Sequence, residues 1–176
     1  MNELLSNVLT RKSVYQFESR QIVGDELCDI LDAGQFVSDT IQIQNWHFLV
    51  IQKTEVLNRI RQLWKDELSN NRAMQNSISM APTLIIVSSQ KDDTDTINAA
   101  NATIGNMMLA GDRKGIGCCW LPFIQSLFKS EEGCQLKQDL NIPEEYIYSS
   151  ALAIGYKPNM HKQEVLKHNC IVNFIR

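Results

Sequence analysis

Apolar positions along this chain fall into two periods, and the switches between them mark the elements. The segment NELLSNVL, 2–9, spaces its apolar residues as a helix does and predicts a short opening helix. YQFESRQIV, 15–23, is polar and connecting. GDELCDILDAG then places Leu27, Ile30, Leu31 and Gly34 on one helical stripe, with Asp25 as N-cap and Gly34 as stop. VSDTIQIQN, 37–45, reads as a loop, and WHFLVIQ, Trp46–Gln52, as a buried strand. Thr54 caps a long helix whose apolar face is Val56, Ile60, Leu63 and Trp64. SNNRAMQNSISM, 69–80, is polar, and Pro82 closes that region. TLIIVSS, 83–89, is apolar over four consecutive positions, which predicts a central strand buried on both faces.

The second half carries the most informative helix, INAANATIGNMMLAGDRKG. Ile97, Ala100, Ile104, Met107, Met108 and Gly111 share a broad stripe, and Ala99, Ala102, Gly105 and Leu109 fill much of the remainder. A helix so widely small and apolar is expected to have neighbours packed closely around it. IGCCWLPF leads out of it, and neighbours Cys118 and Cys119 should alternate faces on a strand. A short helix near Glu131–Leu140, the turn NIPEEY and the strand SALAIGY follow. The tail CIVNFIR alternates as a last strand without a hairpin partner, so it must pair elsewhere; a second subunit is one candidate. The order of elements predicts an α/β or α+β sandwich with helices covering a sheet, as one domain over residues 1–176.

Composition narrows the function. Of 176 residues, 44% are hydrophobic and 21% charged, the mix of a globular protein. The formal net charge of −3 supplies no broad basic field, so nucleic acid is not an expected partner. No apolar run approaches the roughly 20 residues that cross a bilayer, and the start MNELLSNVLTRK lacks a basic region ahead of its apolar residues, so neither a membrane span nor a secretory signal is expected. Five scattered cysteines fit a reducing, cytoplasmic setting, and three distant histidines form no metal-ligand pattern. There is no G-x-G-x-x-G, no P-loop and no nucleophile elbow. No carboxylate stands in an apolar run as a tuned general acid would, so the chemistry is expected to come from a bound cofactor and no catalytic side chain is assigned. The cluster Arg11-Lys12-Ser13 has two readings: cations complementing a helix C-terminus, or a fork, a point charge and a hydroxyl suited to a phosphate.

These pieces together resemble the nitroreductase-like family of FMN flavoproteins. TRKSVYQF is similar to the family's Arg-Arg-Ser-x-Arg-x-Phe opening. ILDAGQFVSDTIQIQNWHFLVI resembles its second helix, flavin loop and first strand, with Gln44 and Trp46 at the Gln-Pro-Trp segment. APTLIIV, GNMMLAGDRKGIGCCW and LNIPEEYIYSSALAIGY match its later motifs in order. The resemblance implies a nitroreductase-like fold with a mostly antiparallel sheet flanked by helices. It implies a homodimer with FMN at the subunit interface and the C-terminal strand exchanged. It also implies electron transfer from NADH or NADPH to a small-molecule acceptor such as a nitroaromatic or quinone.

By the same resemblance, Arg11, Lys12 and Ser13 hold the FMN phosphate, ribityl chain and ring edge. Several other positions depart from the family's pattern. Tyr15 stands where a second Arg is usual, and Val37, Ser38, Asp39 and Thr40 replace Ala-Pro-Ser-Ser in the loop over the partner's flavin. Gln42 replaces an Asn, and Asn45 a Pro. Leu121, Pro122 and Phe123 fall beside the flavin N5 edge, where Pro122 has no N–H and Phe123 is the alternative donor. Asn71 or Arg72 reaches the ring edge, and Lys162 is the late phosphate cation. Two readings follow: an FMN-dependent NAD(P)H oxidoreductase, or a protein of the same fold and dimer with weakened flavin binding.

Overall fold

The structure is a computed structural model that describes residues 3–36, 46–65, 80–90, 93–122 and 124–158. In chain order the elements are α1 (Glu3–Thr10), α2 (Asp25–Gln35), β1 (His47–Ile51), α3 (Thr54–Lys65) and β2 (Thr83–Ser89). Then come α4 (Thr94–Arg113), β3 (Ile116–Leu121), α5 (Ile124–Leu127), α6 (Glu131–Asp139) and β4 (Ile147–Tyr156). The strands form one antiparallel sheet in the order β1-β2-β4-β3. This is the expected α+β sandwich.

Side-chain alternation divides the core between the two faces of the sheet. Leu84 and Ile86 of β2, Ala151 and Ala153 of β4, and Cys119 and Leu121 of β3 pack with Leu57, Ile60 and Trp64 of α3 and with residues of α5 and α6. Ile85 and Val87, Leu152 and Ile154, and Ile116 and Cys118 pack on the other face with Ile30 of α2 and with Ala100, Ile104, Met107 and Met108 of α4. The two cysteines therefore do face opposite ways, as the period of two requires. β2 is buried at every position.

Several local expectations are corrected. Among the described residues β1 is an edge strand paired with β2 alone, and only its Ile51 is buried. Asp25 is not the N-cap of α2: Gly24 holds that position at φ 62° without a side-chain cap, and Asp25 and Glu26 face the dipole from the first turn. Gly34 does not stop α2 either. A Cβ there would lie 2.2 Å from Met107 Cε, so Gly34 serves the close packing of α2 on α4. α4 is capped by Asp93, whose carboxylate accepts from the Thr96 N–H at 2.7 Å. It is not packed on all sides: Ala102 is exposed, and a Cβ at Gly105 would meet nothing within 4 Å. β4 begins at Ile147, three residues before the expected SALAIGY segment, and α5 was not expected. The expected loop at 37–45, the polar segment 69–79 and the tail strand at 170–176 lie outside the described residues. Among the described residues no helix is long and apolar enough to cross a membrane.

Candidate functional site

Where α1 ends, the chain turns onto the outer edge of β3. The Arg11 N–H closes the last helical bond to Asn7 O at 3.0 Å. Two residues on, Ser13 bridges Cys118 in parallel, and the Val14 N–H donates to Cys118 O at 2.9 Å. Two glycines permit this approach. Gly115, at φ 73°, makes the turn from α4 into β3. At Gly117 a Cβ would fall 2.7–3.0 Å from the Val14 side chain. The Gly-Ile-Gly segment is thus no phosphate loop but the device that lets the N-terminal segment seal the strand.

That docking sets Arg11, Lys12 and Ser13 in a row at the strand edge. Arg11 and Lys12 are half-buried and Ser13 is exposed. Arg11 Nη1 lies 3.8 Å from the Met108 sulfur, a weak acceptor. Among the described residues no carboxylate pairs with Arg11, so its donors remain largely unspent. Nearby, Lys157 Nζ binds Asp112 Oδ1 at 2.6 Å, and each side chain is only 14% exposed. Beneath these charges lies Cys118. Burial pushes its thiol up to about 12; Lys157 and Arg11 pull it down, and Asp112 pushes it further up. The thiol therefore stays protonated and is no nucleophile near neutral pH.

The other end of β3 is aromatic and hydroxylic. Trp120 stands out in an otherwise buried strand, 37% exposed, and its Nε1–H donates to Ser150 Oγ of β4 at 2.6 Å. Ser88, Ser89 and Ser149 are also buried at this end of the sheet, where His47 Nδ1 lies 3.2 Å from Ser88 Oγ. Pro122 follows, half-buried and without an N–H. From Cys118 to Pro122 the strand spans about 13 Å at roughly 3.3 Å per residue.

Of the residues expected at the site, Arg11, Lys12 and Ser13 gather at one end of β3, with Leu121 and Pro122 at the other. The Leu121 side chain is in the core on the α3 face, which leaves only its backbone for a ligand. Tyr15 is exposed beyond the docked segment. Ser38, Asp39, Thr40, Gln42, Asn71, Phe123 and Lys162 lie outside the described residues. Sequence reasoning missed Trp120, Ser150 and Lys157. Period-two alternation puts Trp120 on the face of Cys118, but nothing local says that this position stays open.

An antiparallel sheet between two helical layers defines an α+β sandwich, and Arg11 and Lys12, without a carboxylate partner among the described residues, stand on its sealed edge. The chain belongs to the Nitroreductase family, whose sequence model matches residues 8–156. Membership puts it among oxidoreductases. A nitroreductase from Bacteroides fragilis, solved with bound FMN, is 26% identical, with TM-score 0.79 over 99% of this chain and 100% of that one. A nitroreductase from Desulfitobacterium hafniense, also solved with FMN, shares the fold at TM-score 0.82 and 20% identity, over 99% of each chain. An Archaeoglobus fulgidus protein with the provisional name NADH dehydrogenase/NAD(P)H nitroreductase is 27% identical over 158 residues, 89% of this chain and 86% of its own.

Proposed function

We propose that the chain is an FMN-dependent NAD(P)H oxidoreductase that works as a homodimer. The observation that carries this is Arg11: a half-buried guanidinium without a carboxylate partner among the described residues, fixed beside Lys12 and Ser13. A phosphate dianion fits that donor set, since the planar fork, the ammonium and the hydroxyl are all donors. The FMN bound by the Bacteroides and Desulfitobacterium relatives and the donor in the Archaeoglobus protein's name support the same reading.

The chain's own part is binding and orientation. Arg11, Lys12 and Ser13 grip the phosphate end, and the C-terminal half of β3 guides the ligand towards Pro122 and the exposed Trp120. Ser38, Asp39, Thr40, Gln42, Asn71, Phe123 and Lys162 are further contacts in this reading. A bound FMN supplies reversible two-electron storage, taken from NADH or NADPH and returned to a nitroaromatic, quinone or similar small acceptor. No described side chain is required as a proton donor. The homodimer draws support from two uncovered surfaces: the open face of α4 at Ala102 and Gly105, and the stripe Leu5, Val8 and Leu9 of α1, each at least 41% exposed. The free, exposed thiols of Cys28 and Cys134 suit a reducing cytoplasm.

A second reading, a dimer of this fold with weakened flavin binding, is favoured by Pro122 and by the exposed, uncharged Tyr15. One experiment separates the two. The absorbance spectrum of the purified chain should show a flavin band that NADH or NADPH bleaches, at the solution mass of a dimer. A flavin band that neither nucleotide bleaches favours the second reading. A colourless monomer that takes up no FMN refutes both.

A further inference from the structure

The hydrogen bond between Trp120 and Ser150 has a direction that matters. Trp120 pairs across the sheet with Leu152, yet its indole N–H reaches Ser150, two residues nearer the start of β4. Because β4 runs antiparallel to β3, the start of β4 lies beside the end of β3. The indole therefore leans diagonally towards the C-terminal end of β3, where Pro122 follows.

Ser150 is completely buried, while Trp120 keeps more than a third of its surface exposed. A hydroxyl hidden in the sheet thus holds a large ring that the sheet does not cover. Packing alone would not demand this, since an exposed indole can give its N–H to water. The tether selects one tilt and removes rotamer freedom before any ligand arrives.

We propose that Ser150 is a positioning residue, fixing the tilt of Trp120 as a wall for a planar aromatic ring system bound at the C-terminal end of β3. This rests on the proposed function for the place of the ring, but not on the phosphate cluster at the other end of the strand. The ring is either the isoalloxazine or an aromatic acceptor, which share the flat π-face that an indole stacks against.

The test is a double-mutant cycle on the full chain freed of flavin, using Ser150→Ala, Trp120→Phe and the pair together. Two probes are titrated, FMN and lumiflavin, the second having the ring without the ribityl phosphate. Trp120→Phe keeps an aromatic ring but removes the tethering N–H, so it should mimic Ser150→Ala. Each single variant should loosen both probes about two- to tenfold, the size of one hydrogen bond. The double variant should be no worse than the weaker single, because both remove the same interaction. Flavin emission on binding should be less quenched in each variant than in the parent.

Lumiflavin separates the two ideas. If FMN binds no more tightly than lumiflavin, the phosphate reading fails, while the shared effect of the variants still upholds Ser150. If the parent binds both and Ser150→Ala leaves affinity, emission and the KM for 4-nitrobenzoate all unchanged, or the two losses simply add, the positioning role is overturned. A parent that binds neither probe overturns both. An aromatic acceptor as the true occupant would show as a rise in KM for 4-nitrobenzoate, at constant kcat, in all three variants with FMN affinity unmoved; this upholds the wall and reassigns its ring.

Discussion

β1 and β3 are the two edges of one sheet, and they are finished differently. β1 is half-buried at four of its five positions, and no strand of the described residues pairs with its outer side. β3 is buried at five of six, and the segment after α1 docks on its outer edge through Val14 and Cys118. An unpaired edge is a liability that proteins cover or blunt. Here the cover also has a cargo, because the residues just ahead of the docked segment are Arg11 and Lys12. Sealing the edge and building the proposed anion site are one structural act, and among the described residues β1 has no such cover and no comparable row of cations.

The largest test of this contrast is at the start of β3. Lys157→Met leaves Asp112 nearly buried without its partner and should cost about 3 kcal/mol, or roughly 6–12 °C in Tm. Thermal unfolding monitored by circular dichroism checks it, and an unmoved melt would mean that solvent reaches the pair. Next is Arg11→Ala, which removes a charged donor worth about 1.5–3 kcal/mol. FMN should loosen about 10- to 150-fold, while the melt of the flavin-free chain hardly moves; unchanged affinity takes Arg11 out of the site. Gly117→Val sets a Cβ against the stiff, branched Val14 side chain. It should cost about 1–3 kcal/mol and weaken FMN as well, since the segment carrying Arg11 must lift. Retained FMN affinity in a destabilised Gly117→Val chain would separate the cover from the site. The smallest effect belongs to the other edge. Val50→Thr on β1 should cost about 1 kcal/mol and leave FMN titrations unchanged; a loss of FMN there would break the contrast.

Much of this was legible along the chain. Buried β2 follows from its unbroken apolar run, and the Cys118/Cys119 alternation from a period that any sheet imposes. The cations at 11 and 12 could be suspected from their chemistry and from the family motif. Legibility ended wherever coverage decides. WHFLVI is as apolar as a buried strand, but its place at the edge leaves it half-covered. Gly34 looked like a stop signal, yet it answers to Met107, across the helix pair. The small residues of α4 suggested neighbours on every side, and the fold of one chain leaves Ala102 and Gly105 open.

The sequence by itself determined the order of the described helices and strands apart from the short α5, the opposed faces of Cys118 and Cys119, and the presence of a basic cluster after the first helix. Those depend on spacing between near neighbours and on side-chain chemistry. Only the tertiary structure decided that the cluster lies on the edge of β3, that Lys157 meets Asp112 from 45 positions away, and that Trp120 is tied to Ser150 from 30. Such contacts join residues brought together by strand pairing and helix packing, and no local period records which distant partner arrives.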